Sequence, residues 1–170
     1  NSLAVGHTGL GYALTMARKY NEAILHAERG LELEPNSADI VYVYANILLY
    51  IGRQQESISS FQSAIRLNPK PPNTYLRHYA AALRDTGRYD EAITQVKKAI
   101  GREPRDIMSY IILASAHSMA GQENEGRAAA AEVLKINPKF SIERFAKIHP
   151  YKDLATKERY IDSLRKVGLK

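Results

Sequence analysis

The 170 residues include no cysteine and no tryptophan. Without thiols there is no disulfide framework, no thiolate metal site and no cysteine nucleophile, and the redox compartment stays open. No apolar run approaches the ~18 residues that a membrane-spanning helix needs, and no leader of basic and apolar segments opens the chain. His7, His26, His78, His117 and His149 show neither HxxxH nor HExxH spacing, so a helical zinc site lacks its ligands. The string Gly6-His7-Thr8-Gly9-Leu10-Gly11 has the glycines of a phosphate loop. It lacks the Lys-Ser/Thr ending and the preceding strand that make such a loop work. Asp85, Asp90 and Glu91 straddle a turn, where solvated surface charge is the ordinary expectation. With no nucleophile–base pair and no metal box, the expectation is a non-catalytic chain without metal or cofactor.

The net charge of +6 is unevenly placed. Residues 1–138 hold 15 basic and 14 acidic groups, whereas residues 139–170 hold 9 basic and 4 acidic ones. The basicity therefore belongs to the last 32 residues, which contain no run of consecutive Lys or Arg dense enough for a nucleic-acid stripe, so no nucleic acid is expected as partner. The chain opens on Asn1, inside an apolar-periodic segment, and is expected to be a piece of a longer protein.

What is present is an internal repeat. Pro35, Pro69, Pro104 and Pro138 recur at spacings of 34, 35 and 34 residues. Small residues (Gly11, Ala45, Ala80, Ala114) precede each proline by 24, and bulky ones (Leu10, Tyr44, Tyr79, Leu113) precede those. Arg18, Gly52, Gly87 and Gly121 share a mid-unit turn position; Ala23, Ser57, Ala92 and Gly126 follow five residues later. Gly30, Ala64, Ala99 and Val133 form a further column. Each unit reads as two helices: a glycine ends the first, and the proline stops the second by removing a hydrogen bond and clashing with the preceding turn. Asn36-Ser37, Asn73 and Asp106 stand where the next helix needs an N-cap. His117 falls in a column otherwise filled by Leu14, Leu48 and Leu83, as a core histidine bonded to a neighbour would.

These columns resemble the tetratricopeptide repeat, most closely in the third unit with Tyr79-Ala80, Gly87, Tyr89, Ala92, Ala99 and Pro104. The resemblance implies an all-α solenoid of about four helical hairpins in a right-handed superhelix, with units near 4–35, 38–69, 73–104 and 107–138 making up an array over residues 1–138. Residues 139–170 are expected to close it as capping helices, with Phe140, Ile142, Phe145 and Ile148 on one side of a short helix. A second helix would present Leu154, Tyr160, Ile161, Leu164 and Val167. The fourth unit, with His117 and Gly126 in place of the usual large apolar residue and alanine, is expected to be the loosest.

The resemblance also implies that the first helices line a concave groove that binds a peptide or a partner's helix. The face opposite the second helices carries Tyr12, Met16, Tyr42, Asn46, Tyr50, Arg77, His78, Arg84, Ser115 and Met119. Tyr and Arg often carry binding energy, and Met adapts to irregular partners; the alternative for each is packing between helices. Substitutions at Tyr12, Asn46 and Arg84 are expected to weaken capture and spare the fold. Arg77 and Arg84 are positioned to meet an acidic side chain or an aromatic ring. The Lys/Asn/Arg clamp with which some members of the family grip a terminal carboxylate is missing: its positions hold Thr8, Tyr12, Val43, Thr74 and His78.

The string Asn137-Pro138 to Phe145, then Pro150 to Asp153 and Arg159 to Leu169, is similar to the C-terminus of bacterial multidomain proteins in which such an array follows a class III adenylate or guanylate cyclase domain. Related tails follow winged-helix transcription-factor domains. The implied role is the partner-binding end of a cytoplasmic bacterial signalling protein; a self-associating spacer, and thus a homodimer, is the alternative. A basic tail touching nucleic acid or anionic lipid is a weaker third.

Overall fold

The computed structural model describes residues 2–170, and all its regular elements are α-helices. They are α1 (Ser2–Met16), α2 (Tyr20–Leu33), α3 (Ala38–Ile51), α4 (Gln54–Leu67), α5 (Asn73–Asp85), α6 (Tyr89–Arg102), α7 (Ile107–Met119), α8 (Glu123–Ile136), α9 (Ile142–Ile148) and α10 (Leu154–Lys166). Consecutive helices from α1 to α8 pair as hairpins. The chain forms two compact units. Unit one holds residues 2–71 together with His149–Asp153; unit two holds Pro72–Ile148 and Leu154–Lys170.

The repeat columns have clear packing causes. Ala45, Ala80 and Ala114 are fully buried, and a Cβ on Gly11 would sit 2.9 Å from the Ala23 carbonyl and 3.2 Å from Ile47 Cδ1. Small residues there let the paired helices close. Ser57, alone among its column in carrying a hydroxyl, donates it to the Ala45 carbonyl at 2.7 Å, so the buried group is satisfied. In unit one, Ala23, Ala27 and Ile47 form a core flanked by Leu14, Val43, Tyr44 and Ile51.

Gly52, Gly87 and Gly121 end first helices with φ of 92°, 81° and 77°, the left-handed conformation a side chain disfavours. Arg18 takes the same slot at φ 61° and is the one non-glycine residue with positive φ among those described.

The capping expectations divide. Asp106 caps α7, accepting from Met108 N–H at 3.2 Å and from the Ser109 hydroxyl at 2.6 Å. Ser37 occupies an N-cap without a side-chain bond. Asn73 is already helical, and its amide donates to the Ala99 carbonyl of α6 at 3.3 Å, because Pro72 holds the N-cap position. His117 is buried and bonded through Nδ1 to Gln122 Oε1 at 2.6 Å. Gly6-His7-Thr8-Gly9-Leu10-Gly11 lies inside α1, which removes any phosphate loop. The sequence misses a recurring pair at the start of the second helices. Arg53 meets Glu56, and Arg88 meets Glu91, each three residues on at 2.7 Å. The arginine holds Glu56 and Glu91 below the usual carboxylate range, but such exposed pairs contribute little to stability.

Candidate partner-binding site

In unit one, Tyr12 and Met16 lie one turn apart on α1 and are 41% and 38% exposed. Tyr42 is half-buried, its ring tilted against Phe61 at 6.0 Å. Asn46 is buried, and neither atom of its amide has a hydrogen-bond partner among the described residues. Tyr50 is buried as well. The Tyr151 ring meets it edge-on at 5.3 Å, and the Lys152 N–H donates to the Tyr50 carbonyl at 2.8 Å. That carbonyl belongs to the last turn of α3, where the helix itself supplies no donor.

In unit two, the arginines are spent internally. Arg77 forms an ion pair with Asp106 through Nη1 at 3.1 Å. Arg84 is fully buried: it pairs with Asp85 at 2.6 Å and donates to the Ser115 hydroxyl at 3.2 Å. Its guanidinium lies 3.5 Å from the centroid of the Tyr160 ring, whose edge in turn meets Phe145 at 5.8 Å. Burial pushes the Tyr160 hydroxyl above its ordinary range, with Arg84 opposing. Arg159 donates to the Asp85 carbonyl at 3.1 Å, again at the C-terminal end of a first helix. Ser115 is buried, whereas His78 and Met119 are half-buried.

Three expectations therefore change. Asp85 is buried rather than solvated, because Arg84 and α10 cover it. Asn46 and Arg84 are interior side chains, so substituting them disturbs the fold as well as any binding. The acid and the aromatic ring foreseen for Arg84 are present, and the chain itself supplies them. One basic group of the tail, the Arg159 guanidinium, meets the Asp85 carbonyl at the negative end of the α5 dipole, and this gives part of the tail's charge a structural use.

The tail packs unevenly. Ile142 and Phe145 are buried, but Ile148 is 70% exposed, and Leu154 of α10 is also exposed. Tyr160, Ile161, Leu164 and Val167 are buried. The absent side chain of Gly126 has a reason, since a Cβ there would come within 2.7 Å of Val167 Cγ1. Lys166 meets Glu123 at 2.8 Å and holds that carboxyl below its usual range.

The turn between α1 and α2 carries an open cleft lined by Arg18, Lys19, Tyr20, Asn21, Glu22 and Lys152, all in unit one. Lys19 faces Glu22 at 3.7 Å, and the Lys152 ammonium stands 5.9 Å from the centre of the Tyr20 ring. Among the described residues no three of His, Cys, Asp or Glu gather as a metal site, and no helix is long and apolar enough to cross a membrane.

The profile of the tetratricopeptide repeat family matches residues 8–72 and 79–139. The TPR repeat-containing protein MJ1428 of Methanocaldococcus jannaschii is 36% identical over 81 residues, 48% of this chain and 14% of that protein, so the chain spans about a seventh of that relative's length. MamA from Desulfovibrio magneticus superposes with a TM-score of 0.70 at 17% identity, covering 98% of this chain and 94% of that one. YrrB, described as a TPR protein with an unusual peptide-binding site, superposes with a TM-score of 0.64 at 16% identity, covering 96% of this chain and 84% of that one. At such identities the likeness is one of fold, and it runs over nearly the whole chain. Family profile, repeat columns and the helical hairpins of the described residues agree: this chain belongs to the tetratricopeptide repeat family.

Proposed function

We propose that this chain is a non-catalytic interaction module that captures a peptide or helix of a partner protein on the faces of its first helices. Repeats of this family are generally protein-binding scaffolds, and the peptide-binding site described for YrrB supports the reading. The observation that carries it is the exposed Tyr12–Met16 strip on α1: an aromatic and an adaptable thioether, one turn apart, with no side chain of the fold covering them fully. Residues 1–138 act as the array and 139–170 as its closing element. Peptides selected from a random library on the immobilised chain test the reading. Tyr12→Ala is expected to weaken the selected peptides about tenfold at an unchanged melting temperature. Binding indifferent to Tyr12 contradicts it.

The similarity of residues 137–169 to tails that follow cyclase domains supports a narrower setting, the regulatory C-terminal part of a bacterial cytoplasmic signalling protein. Sequencing the gene upstream of the Asn1 codon decides this: a cyclase domain there supports it, and a winged helix or any unrelated domain overturns the cyclase link.

Self-association is the second reading. Every copy carries both α10 and the Arg84–Asp85 face on which it docks, so exchange of α10 between copies would give a homodimer. Light scattering that shows a concentration-independent monomer removes it.

A further inference from the structure

We propose that the outer face of α1 is a self-association surface, on which a second copy of this chain docks its own α1 antiparallel. This rests on the self-association reading above and assigns the contact to α1 in place of α10.

α1 contains no Asp, Glu, Lys or Arg and is apolar on every side. A helix of that composition is ordinarily buried all round. α7, which has none of the four either, packs against α5, α6, α8 and α10 and buries nine of its 13 residues. α1 packs against α2 and α3 and buries four of its 15. Leu3 and Leu10 are 56% and 46% exposed, and Gly6 and Ala13 are exposed with them. These residues follow one another at intervals of 3, 4 and 3, the seam along which one helix packs on another. Tyr12 lies two residues from Leu10 and points to a different side, so this face is separate from the Tyr12–Met16 strip.

The repeat register shows what kind of contact the face is built for. Gly6, Leu10 and Ala13 correspond, 34 residues on, to Ile40, Tyr44 and Ile47 of α3. Ile40 and Ile47 are buried and Tyr44 is half-buried, with Ile47 packed in the core beside Ala23 and Ala27 of α2. The exposed face of α1 therefore continues the stacking interface between hairpins.

Side-chain size selects the occupant. A preceding hairpin of the same pattern would offer small residues, as Ala23 and Ala27 do to Ile47. Where α3 answers with isoleucine, α1 has glycine and alanine, and small against small leaves the contact underpacked. A second α1 running antiparallel fits better. With the two-fold axis level with Thr8, Leu3 lies opposite Ala13 and Leu10 opposite Gly6, and the same pairs recur in the other copy. Every large side chain then faces a small one. A Cβ on Gly6 would meet nothing within 4 Å, so there is room beside it for Leu10 of the second copy. The uncharged face also lets two chains of net charge +6 meet without like charges in the contact.

Sedimentation velocity of the full chain from about 1 to 200 µM tests the assignment. A monomer–dimer equilibrium is expected, and Leu10→Glu should weaken it about tenfold or more while leaving the melting temperature of the monomer unchanged. Tyr12→Ala should leave the dimer intact. Because the chain has no cysteine, engineered thiols report alone. Gly6→Cys mixed with Leu10→Cys should cross-link on oxidation in preference to either variant by itself. A monomer at every concentration, or cross-linking as ready within each variant as between them, would overturn the assignment. A dimer that Leu10→Glu leaves intact keeps the self-association reading and refutes the α1 contact alone.

Discussion

The guanidinium of Arg84 in α5 lies 3.5 Å from the centre of the Tyr160 ring in α10, and its Nε and Nη2 both donate to Asp85 Oδ1. A helix from the tail thus completes the surroundings of a charge that the repeat alone would leave facing outward. The pair is fully buried, so the attraction between its members is offset by the loss of hydration, and its worth shows only when it is broken.

Arg84→Met leaves Asp85 buried without its cation. The expected cost is about 3–5 kcal/mol in urea unfolding. Arg84→Met with Asp85→Leu should recover much of that, since both charges are then gone. A single variant as stable as the parent would mean that water reaches Asp85.

Alkaline pH should loosen the same contact. Burial raises the hydroxyl pKa of Tyr160, and of Tyr44, above the ordinary value of 10.0. The folded state therefore favours the neutral phenol, and the resulting stability is complete below pH 10 and lost as pH rises through the folded pKa. The melting temperature is expected to fall above pH 10, and Tyr160→Phe should flatten that decline. An unchanged alkaline limb in Tyr160→Phe would place the titration elsewhere.

Two helical glycines should respond with opposite sign. A Cβ on Gly30 would overlap Thr8 Cγ2 and lie 3.1 Å from the Ala4 carbonyl, so Gly30→Ala should destabilise by about 1–3 kcal/mol. A Cβ on Gly101 would meet nothing within 4 Å, so Gly101→Ala should stabilise by about 0.5–1 kcal/mol. Thermal melts check both: the Gly30 variant reads the packing of α1 on α2, and the Gly101 variant reads the open face of α6.

The hairpins were legible because their signals are local. Pro35, Pro69, Pro104 and Pro138 mark where second helices stop, and Gly52, Gly87 and Gly121 are needed where first helices turn. The tail's docking was not legible. Arg159 reaches the Asp85 carbonyl across 74 residues, and no periodicity encodes a contact of that separation. Asp85 looked solvated because its chain neighbours are turn residues, and Asn46 and Arg84 looked outward-facing because polar ends usually seek water. Each is buried, and for Arg84 and Asp85 the covering element is α10. Arg18 stood out of its glycine column in the sequence, and its φ of 61° shows that the chain takes the left-handed turn conformation there all the same.

The chain's three methionines, Met16, Met108 and Met119, all lie on first helices, in α1 and α7. Methyl NMR of methionine-labelled protein, titrated with library-selected peptides, therefore reads the proposed capture faces through three resonances. The account predicts saturable shifts of the Met16 methyl, abolished with binding in Tyr12→Ala. Binders that leave all three methyls unmoved would contradict it.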